Sequence, residues 1–485
     1  MRCIIPSVLA LAASVGAFAA EAPNVLLICV DDLKPTLGCY GDKVAITPNI
    51  DRMASQGVRF NKAYCNQAVC APSRNNLMTG SRSTSLGIYD LGRNFRTAVP
   101  NAVTLSQYFM QHGYTAEAVG KIFHTGHGNH DDEASWSVPT HYEPVVEYLD
   151  PKSTAGGQLT REEAFFTNRE LNRIGQLPKG TAWEIVDVPD DAYSDGRIAN
   201  ESVRRLEAAK ASGKPFFLAV GFVKPHMPFT APKKYWDLYK PGDFKLPAYR
   251  KDPVGAPQYA RKDGAEINNY EPLPENGRLD TPEAIKMIHG YYACVSYIDA
   301  QIGKVLKALH ELDLAKNTIV VLWGDHGWHL GDHGYWSKHT NYEHATRIPL
   351  IFVAPGVAKA GAATDQLAET VDIYPTVVQL AGLPEPEVPQ PMDGISLVPV
   401  LKDPSVRIRE FAYGCYPRGG RMGRVIRTDR YRLVEWKKPG APRDTADIEL
   451  YDYKTDPEER RNLASSQPKV VEELLEILYR QPEAK

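Results

Sequence analysis

Two pairs of adjacent polar residues, each directly after an apolar run, are the first candidates for chemistry in this 485-residue chain. Asp31 and Asp32 follow one run, and Asp325 and His326 follow another. Adjacent carboxylates concentrate negative charge, and hard cations such as Ca²⁺ and Mg²⁺ prefer oxygen ligands. One such pair alone is typical of a helix cap or a surface turn. Two pairs at predicted strand ends favour a metal site.

The elements that must position these pairs are predicted strands and helices in alternation. Continuous apolar runs are typical of strands buried on both faces of a parallel sheet; they cover residues 24–30, 215–222, 318–323 and 349–353. The clearest helical pattern begins with Thr281 as cap and Pro282 at the first helical position, and continues to Leu312. The alternation predicts an α/β fold with a doubly wound, mostly parallel sheet, whose ligands lie at the carboxyl ends of the strands.

The rest of the chain divides into insertions and a smaller C-terminal part. Residues 129–191 and 241–278 are polar, rich in proline and weakly periodic, which predicts surface insertions that shape a substrate cleft. After a proline-rich connector at 383–391 come short β-like segments and a helical pattern at 470–479. We predict a catalytic domain over 20–404 and a C-terminal α+β subdomain over 405–485.

The N-terminus has the pattern of a secretory signal peptide. Met1 and Arg2 precede an apolar run that ends in Ala17-Phe18-Ala19, a small-x-small cleavage pattern. The alternative is a buried N-terminal helix or strand. No later segment reaches the ~20 apolar residues of a membrane span. We therefore predict a signal peptide over 1–19 and a secreted or periplasmic protein without a membrane span.

Composition and cysteine content narrow the function classes. Hydrophobic residues make up 43% and charged residues 24%, as in an ordinary globular protein. The 56 basic and 59 acidic residues give a net charge of −3, which argues against a nucleic-acid partner. Six of the seven cysteines follow the predicted signal peptide. An even count allows three disulfides, but the spacings show no framework.

One segment carries a resemblance to a known family. Cys70-Ala71-Pro72-Ser73-Arg74, followed after a short spacer by Thr-Gly, resembles the sulfatase signature. In that family a maturation enzyme oxidises the cysteine to formylglycine. The resemblance therefore implies formylglycine at Cys70, a formylglycine-generating enzyme as partner and an alkaline-phosphatase-like fold.

Further segments extend the resemblance over nearly the whole chain. Residues 120–124 and 224–229 are similar to the family's Gly-Lys-x-x-His and Lys-Pro-His segments, and residues 327–338 are similar to the iduronate-2-sulfatase subgroup, which has Asp-His as its second metal pair. His329 departs from the subgroup, where a small residue is expected, and we expect it to alter the substrate rim. The resemblance implies one bound Ca²⁺ per chain, with the ligands Asp31, Asp32, Cys70, Asp325 and His326.

The expected chemistry gives each motif residue a role. An anionic sulfate ester needs cationic groups around it, which the metal ion, Arg74, Lys121 and Lys338 would supply. Hydrated formylglycine would attack sulfur and form a covalent intermediate. His226 is the candidate acid for the leaving sugar oxygen, and His124 is the candidate base for the release step. The predicted substrate contacts are His226, Trp328 and Lys338.

Each of these residues also has a structural alternative. Arg74 could brace a helix, the two histidines could be packing residues, Lys338 could be solvated, and Trp328 could fill a loop. Six arginines between positions 418 and 432 predict either a solvated strand face or a contact for a polyanionic glycan.

The predicted function is hydrolysis of sulfate esters on a sulfated saccharide, most specifically a 2-O-sulfated uronic acid of a glycosaminoglycan or similar polysaccharide. Two alternatives remain open at this point. One is a phosphoester hydrolase of the same fold, and the other is a non-catalytic protein that binds sulfated glycans.

Overall fold

A computed structural model describes residues 22–262 and 265–485. The predicted signal peptide at 1–19 lies outside these residues. The strands within them are β1 Asn24–Val30, β2 Val58–Tyr64, β3 Thr115–Gly120, β4 Gly180–Thr181, β5 Trp183–Val186, β6 Phe216–Phe222, β7 Phe229–Pro232, β8 Tyr270–Glu271, β9 Thr318–Gly324, β10 Arg347–Val353, β11 Ala362–Glu369, β12 Phe411–Arg418, β13 Arg421–Thr428, β14 Tyr431–Lys437 and β15 Asp447–Asp452.

Helices connect most of these strands. The α-helices of the described residues are α1 Pro48–Ser55, α2 Cys70–Thr79, α3 Ser83–Leu86, α4 Leu105–Gln111, α5 Arg161–Thr167, α6 Ser194–Ser212, α7 Lys233–Trp236, α8 Thr281–Glu311, α9 Glu343–Thr346, α10 Ile373–Leu380, α11 Val398–Lys402 and α12 Pro468–Tyr479. The longest, α8, begins one residue earlier than the sequence pattern suggests. Asp280 is its N-cap and forms a capping box with Glu283, so Thr281 is the first helical residue rather than the cap.

A seven-stranded sheet in the order β11-β2-β10-β9-β1-β6-β3 forms the centre of the molecule. All its strands are parallel except β10, which runs antiparallel to β2 and β9. The central strand β1 is buried at every position, as its uninterrupted apolar sequence predicts. Two large hydrophobic clusters cover the two faces of the sheet. The prediction of a doubly wound, mostly parallel sheet is confirmed.

The C-terminal part forms its own small sheet. Strands β12 to β15 pair in sequence order as an antiparallel meander, and α12 packs on it through Leu474 and Leu478, beside Leu433 and Leu450. A C-terminal subdomain of this type was predicted and is present; the boundary proposed at residue 405 stays a prediction.

The six cysteines of the described residues are all unpaired, and five of them are buried. The disulfide option left open by the even count is therefore not realised among them. Among the same residues, no helix combines the length and the apolar composition needed to cross a membrane.

Candidate active site

The carboxyl ends of four neighbouring strands meet at one edge of the central sheet. Strand β1 pairs with β9 and β6, and β6 pairs with β3, in registers that align Val30 with both Gly324 and Phe222. The residues that follow these strands are therefore neighbours, although they are far apart in the sequence. They include Asp31, Lys121 and Asp325.

A close approach between two strand-end backbones fixes part of this edge. Gly120 aligns with Gly221 in the β3–β6 ladder. A methyl group on Gly221 would overlap the backbone of Lys121. The glycine therefore permits the chain to turn directly from β3 into the segment that carries Lys121 and His124.

Four of the five predicted metal ligands form one buried cluster. Candidate donor atoms of Asp31, Cys70, Asp325 and His326 all lie within 4.8 Å of one another. His326 Nε2 is 3.3 Å from Cys70 Sγ. The fifth, Asp32, lies beside the cluster, because its Oδ1 is 3.3 Å from His326 Nδ1 and its backbone N–H donates to Asp325.

Helix α2 carries Cys70 and Arg74 into this region, and all ten of its residues are buried. The Arg74 guanidinium lies 3.0 Å from Asp325 Oδ2 and 3.3 Å from Asp31 Oδ1. It also donates to the backbone carbonyls of Lys121 and Ile122. Arg74 is thus placed beneath the cluster, where it braces two carboxylates and the β3 segment.

Two lysines balance the remaining carboxylate charge. Lys121 forms an ion pair with Asp31, and its ammonium lies 4.9 Å from the centre of the Phe166 ring. Lys338 donates to both oxygens of Asp32 at 3.0 Å. Together with Arg74, the lysines place three cations beside Asp31, Asp32 and Asp325, and Lys338 is shared with Glu266. A divalent cation added to this set would make the site more positive, which suits an anionic ester.

Burial shifts the titration of the acidic groups in the cluster. Burial and the neighbouring Asp31 raise the pKa of Asp325 to about 8. Burial, with Asp31 next to it, also raises the pKa of the Cys70 thiol well above its usual value. The cysteine side chain as it stands is therefore a neutral thiol and a poor nucleophile at neutral pH.

The two predicted catalytic histidines line a cavity of about 320 Å³ above Cys70 and next to Lys338. His226 Nδ1 is 2.5 Å from the Met227 carbonyl oxygen, and Nε2 is 3.4 Å from Glu266 Oε1. His124 Nε2 is 3.2 Å from His127 Nδ1. Burial, aided by nearby lysines, lowers the pKa of His124 and His226 well below the usual value.

Several cavity residues were not identified from the sequence. Glu266 accepts from Lys338 at 3.0 Å and faces His226, and Glu162 on α5 lies on the same wall. The other lining residues missed are Leu91, Phe165, Phe166, Lys262 and Asn269. Most belong to the two insertions predicted to shape a substrate cleft, but no spacing pattern within those insertions marks the individual residues.

Two predicted rim residues are placed elsewhere. Trp328 is 1% exposed and stacks on Tyr291, and its Nε1 is 3.5 Å from Glu266 Oε2. It therefore supports a cavity residue from behind, and its ring does not line the cavity. His329 was expected at the rim but is buried, with Nδ1 against Asp332 and Nε2 2.8 Å from Thr340 Oγ1. Both rings lie in the loop that follows β9, which folds back on itself as the His329 N–H donates to the Ser337 carbonyl.

Three of the six C-terminal arginines do not lie on a solvated face. Arg424, Arg427 and Arg432 are buried and pair with Glu435, Glu343 or Glu459. The charge of these three is compensated inside the protein, whereas Arg430 is exposed and Arg418 and Arg421 are half-buried.

Comparisons with known proteins agree with this geometry. A family model described as "Sulfatase" matches residues 23–383, and one described as "N-sulphoglucosamine sulphohydrolase, C-terminal" matches residues 331–483. The chain is 38% identical to iduronate 2-sulfatase of Mus musculus over 413 residues, which are 77% of this chain and 71% of the relative.

Two solved structures share the fold at lower sequence identity. One, described as a complex with its substrate D-glucosamine-2-N,6-O-disulfate, has a TM-score of 0.75 and 23% identity and covers 95% of this chain and 97% of its own. The other is a phosphonate monoester hydrolase of Agrobacterium radiobacter, with a TM-score of 0.73, 22% identity and coverage of 94% and 96%.

Proposed function

Because the chain belongs to the sulfatase family and is a sulfuric ester hydrolase, we propose that its substrate is a 2-O-sulfated uronic acid of a glycosaminoglycan or similar polysaccharide. We propose that it uses a formylglycine made from Cys70 and one bound Ca²⁺. The observation that carries the proposal is the grouping of Cys70 with Asp31, Asp325 and His326 at the floor of a cavity.

The donor set supports a cation at this position. Asp31 Oδ1 is buried and accepts no hydrogen bond within the described residues, so one carboxylate oxygen is left for a ligand. Asp31, Asp325, His326 and residue 70 would hold the ion, with Asp32 as a further ligand. Conversion of Cys70 would replace a soft sulfur by oxygen, which suits Ca²⁺ better. When bound, the ion supplies Lewis-acid stabilisation of a sulfate oxygen.

The buried thiol also supports the modification of Cys70. Its raised pKa makes an unmodified cysteine a weak nucleophile in this site. Hydrated formylglycine instead supplies two hydroxyls on one carbon, one for attack and one for release of sulfate. His124 lines the cavity, and its Nδ1 has no hydrogen-bond partner within the described residues. It is the base proposed for the release step.

His226 is the proton donor proposed for the leaving sugar oxygen. With Nδ1–H donated to the Met227 carbonyl, the ring turns Nε2 toward the cavity and toward Glu266. To act as the acid, His226 must carry a proton on both ring nitrogens, and Glu266, 3.4 Å from Nε2, is the counter-charge proposed to stabilise that form. Lys338 lines the cavity and is the proposed contact for the sulfate oxygens, whereas Arg74 and Lys121 act from below by holding Asp31 and Asp325 in place.

A second cationic group supports the uronate assignment. Lys262 lines the same cavity, where it has no ion pair or hydrogen bond within the described residues and Glu266 is the nearby acid. Burial and the neighbouring Arg418 lower the pKa of Lys262. An unpaired, partly desolvated ammonium is costly unless a ligand supplies an anion. The sulfate has its own cations, so the carboxylate of a uronic acid is the proposed partner. The relative named iduronate 2-sulfatase agrees with this choice.

Export and maturation complete the proposal. Residues 1–19 would direct the chain to a secreted or periplasmic location, and a formylglycine-generating enzyme would be its maturation partner. Peptide mass spectrometry of the segment around Cys70 tests the modification, and N-terminal sequencing of the exported protein tests the cleavage site. Unmodified cysteine in fully active protein contradicts the nucleophile assignment.

A substrate panel and one pair of variants test the activity. The wild type should hydrolyse a 2-O-sulfated uronate disaccharide faster than 6-O- or N-sulfated ones, and aryl sulfate faster than aryl phosphate. Cys70→Ala should abolish all turnover, and the matched control Cys39→Ala, away from the cavity, should keep it. A preference for aryl phosphate would favour the phosphoester alternative, and full turnover by Cys70→Ala would exclude the mechanism.

A further inference from the structure

One wall of the cavity comes from helix α5 in the first insertion. Thr160 and Glu163 form a capping box that fixes the start of this helix. Glu162, Phe165 and Phe166 are spaced at i, i+3 and i+4 and all line the cavity. Phe166 packs edge-on against His124 and His226. The helix therefore holds Glu162 at a fixed position relative to the reacting groups.

Glu162 is a buried acid with an unused oxygen. Its side chain is only 5% exposed, yet Oε1 has no hydrogen-bond partner within the described residues. A buried polar atom without a partner is costly, and a ligand that enters the cavity can satisfy it. The neighbouring Asn269 shares this wall and bonds to the same carboxyl group.

The surroundings of Glu162 select a neutral partner. Glu266, whose Oε1 is 3.0 Å from Lys338 Nζ, is the acid that faces Glu162. The Glu266 carboxylate next to Glu162 disfavours a sulfate or carboxylate group at this position. Burial, followed by Glu266, raises the pKa of Glu162 to about 8, so near neutral pH this carboxyl group both donates and accepts hydrogen bonds. A sugar hydroxyl has the matching capacity.

Resting on the substrate proposed above, we propose that Glu162 is a specificity-determining residue that binds the free hydroxyl next to the scissile sulfate on the sugar ring. Glu266 contacts Lys338 and faces His226, the groups assigned to the ester, and Glu162 lines the same cavity as a neighbour of Glu266. A second sulfate next to Glu162 would lie beside the Glu266 carboxylate and be disfavoured.

The test compares two substrates that differ at one oxygen. We expect wild type to prefer a 2-O-sulfated uronate with a free 3-hydroxyl over its 3-deoxy analogue by about 10- to 100-fold in kcat/KM, because a site built for a hydroxyl is left with an unpaired buried group by the analogue. In Glu162→Ala the ratio should fall to within about threefold of one. Glu162→Gln, whose amide also donates and accepts, should retain most of the ratio.

The control is Glu207→Ala on the exposed face of α6, which should keep the wild-type ratio. The proposal is overturned if wild type shows no preference for the hydroxyl, if Glu162→Ala keeps the ratio, or if it lowers turnover of both substrates equally, as a structural role predicts. If wild type hydrolyses no 2-O-sulfated uronate, the proposed substrate is wrong. The same comparison on the sulfated sugar that is hydrolysed, against its deoxy analogue, then decides the role of Glu162.

Discussion

Replacement of Arg74 by methionine tests whether this residue braces the site. The guanidinium is fully buried and forms ion pairs at 3.3 Å with Asp31 and at 3.0 Å with Asp325. Methionine has a similar length and keeps the packing, but it leaves both carboxylates without this counter-charge. Removal of one partner from a buried ion pair costs about 3–5 kcal/mol. This is a large fraction of a typical folding free energy of about 5–15 kcal/mol.

The expected shift in melting temperature follows from the size of the chain. An unfolding entropy of about 2.1 cal/mol/K per residue gives about 1 kcal/mol/K for a protein of this length, so Arg74→Met should melt about 3–5 °C below wild type. Thermal unfolding followed by intrinsic fluorescence, with EDTA present, measures the shift.

Activity and a matched control complete the Arg74 experiment. Because Arg74 also holds Asp31, Asp325 and the Lys121 backbone, turnover of an aryl sulfate should fall by at least about 100-fold, which corresponds to about 2.7 kcal/mol of lost transition-state stabilisation. The control Arg204→Met removes an exposed pair on α6, worth at most about 1 kcal/mol, and should melt like wild type. If Arg74→Met melts within about 1 °C of wild type, the bracing role is wrong.

Further predictions concern the strand contact, the cavity lysine and the thiols. Gly221→Ala should push the Lys121 backbone away, lower the free energy of unfolding in urea by about 1–3 kcal/mol and reduce turnover at least about tenfold. The control Gly175→Ala, where an added Cβ meets open space, should change neither quantity. Equal effects of the two substitutions would refute the close approach of Gly221 to Lys121. Lys262→Met should lower kcat/KM on the uronate by about 10- to 100-fold and lower it less on the carboxyl-reduced analogue. The control Lys307→Met, at an exposed position, should keep kcat/KM on both substrates. Equal losses of Lys262→Met on the two substrates would exclude carboxylate binding by Lys262. The sequence has six cysteines from Cys29 onward, and a thiol titration of the denatured protein should find five of them as free thiols. A count of six would show that Cys70 is unmodified.

The central strands could be predicted from the sequence because a strand buried on both faces has a continuous apolar sequence. Runs such as Asn24–Val30 are apolar without alternation, which only a strand covered on two sides requires. The position of Asp31 and Asp325 at one edge follows from the parallel pairing of their strands. The Cys70 motif added a resemblance that periodicity could not provide.

The cavity wall was not predictable because its residues depend on packing between distant segments. Glu162 and Glu266 come from irregular insertions, and nothing in their spacing indicates that they face each other. Trp328 shows the opposite case. Its position in a motif identified the residue, but the motif did not indicate the direction of its ring. The arginines of β13 and β14 look like a surface charge run, and their buried partners at Glu343 and Glu459 come from other parts of the chain.

The complete burial of helix α2 sets an order of events for the proposed maturation. An enzyme that oxidises a side chain needs access to the residues around it, and the folded protein exposes none of the ten residues of α2. If Cys70 is modified as proposed, we expect its conversion to precede closure of the central sheet. Folding and modification would then compete for the same chain, and a molecule that folds first would keep its thiol. The fraction of active molecules in a preparation would then depend on the relative rates of folding and modification. Slower folding at a fixed level of maturation enzyme should therefore yield more active protein.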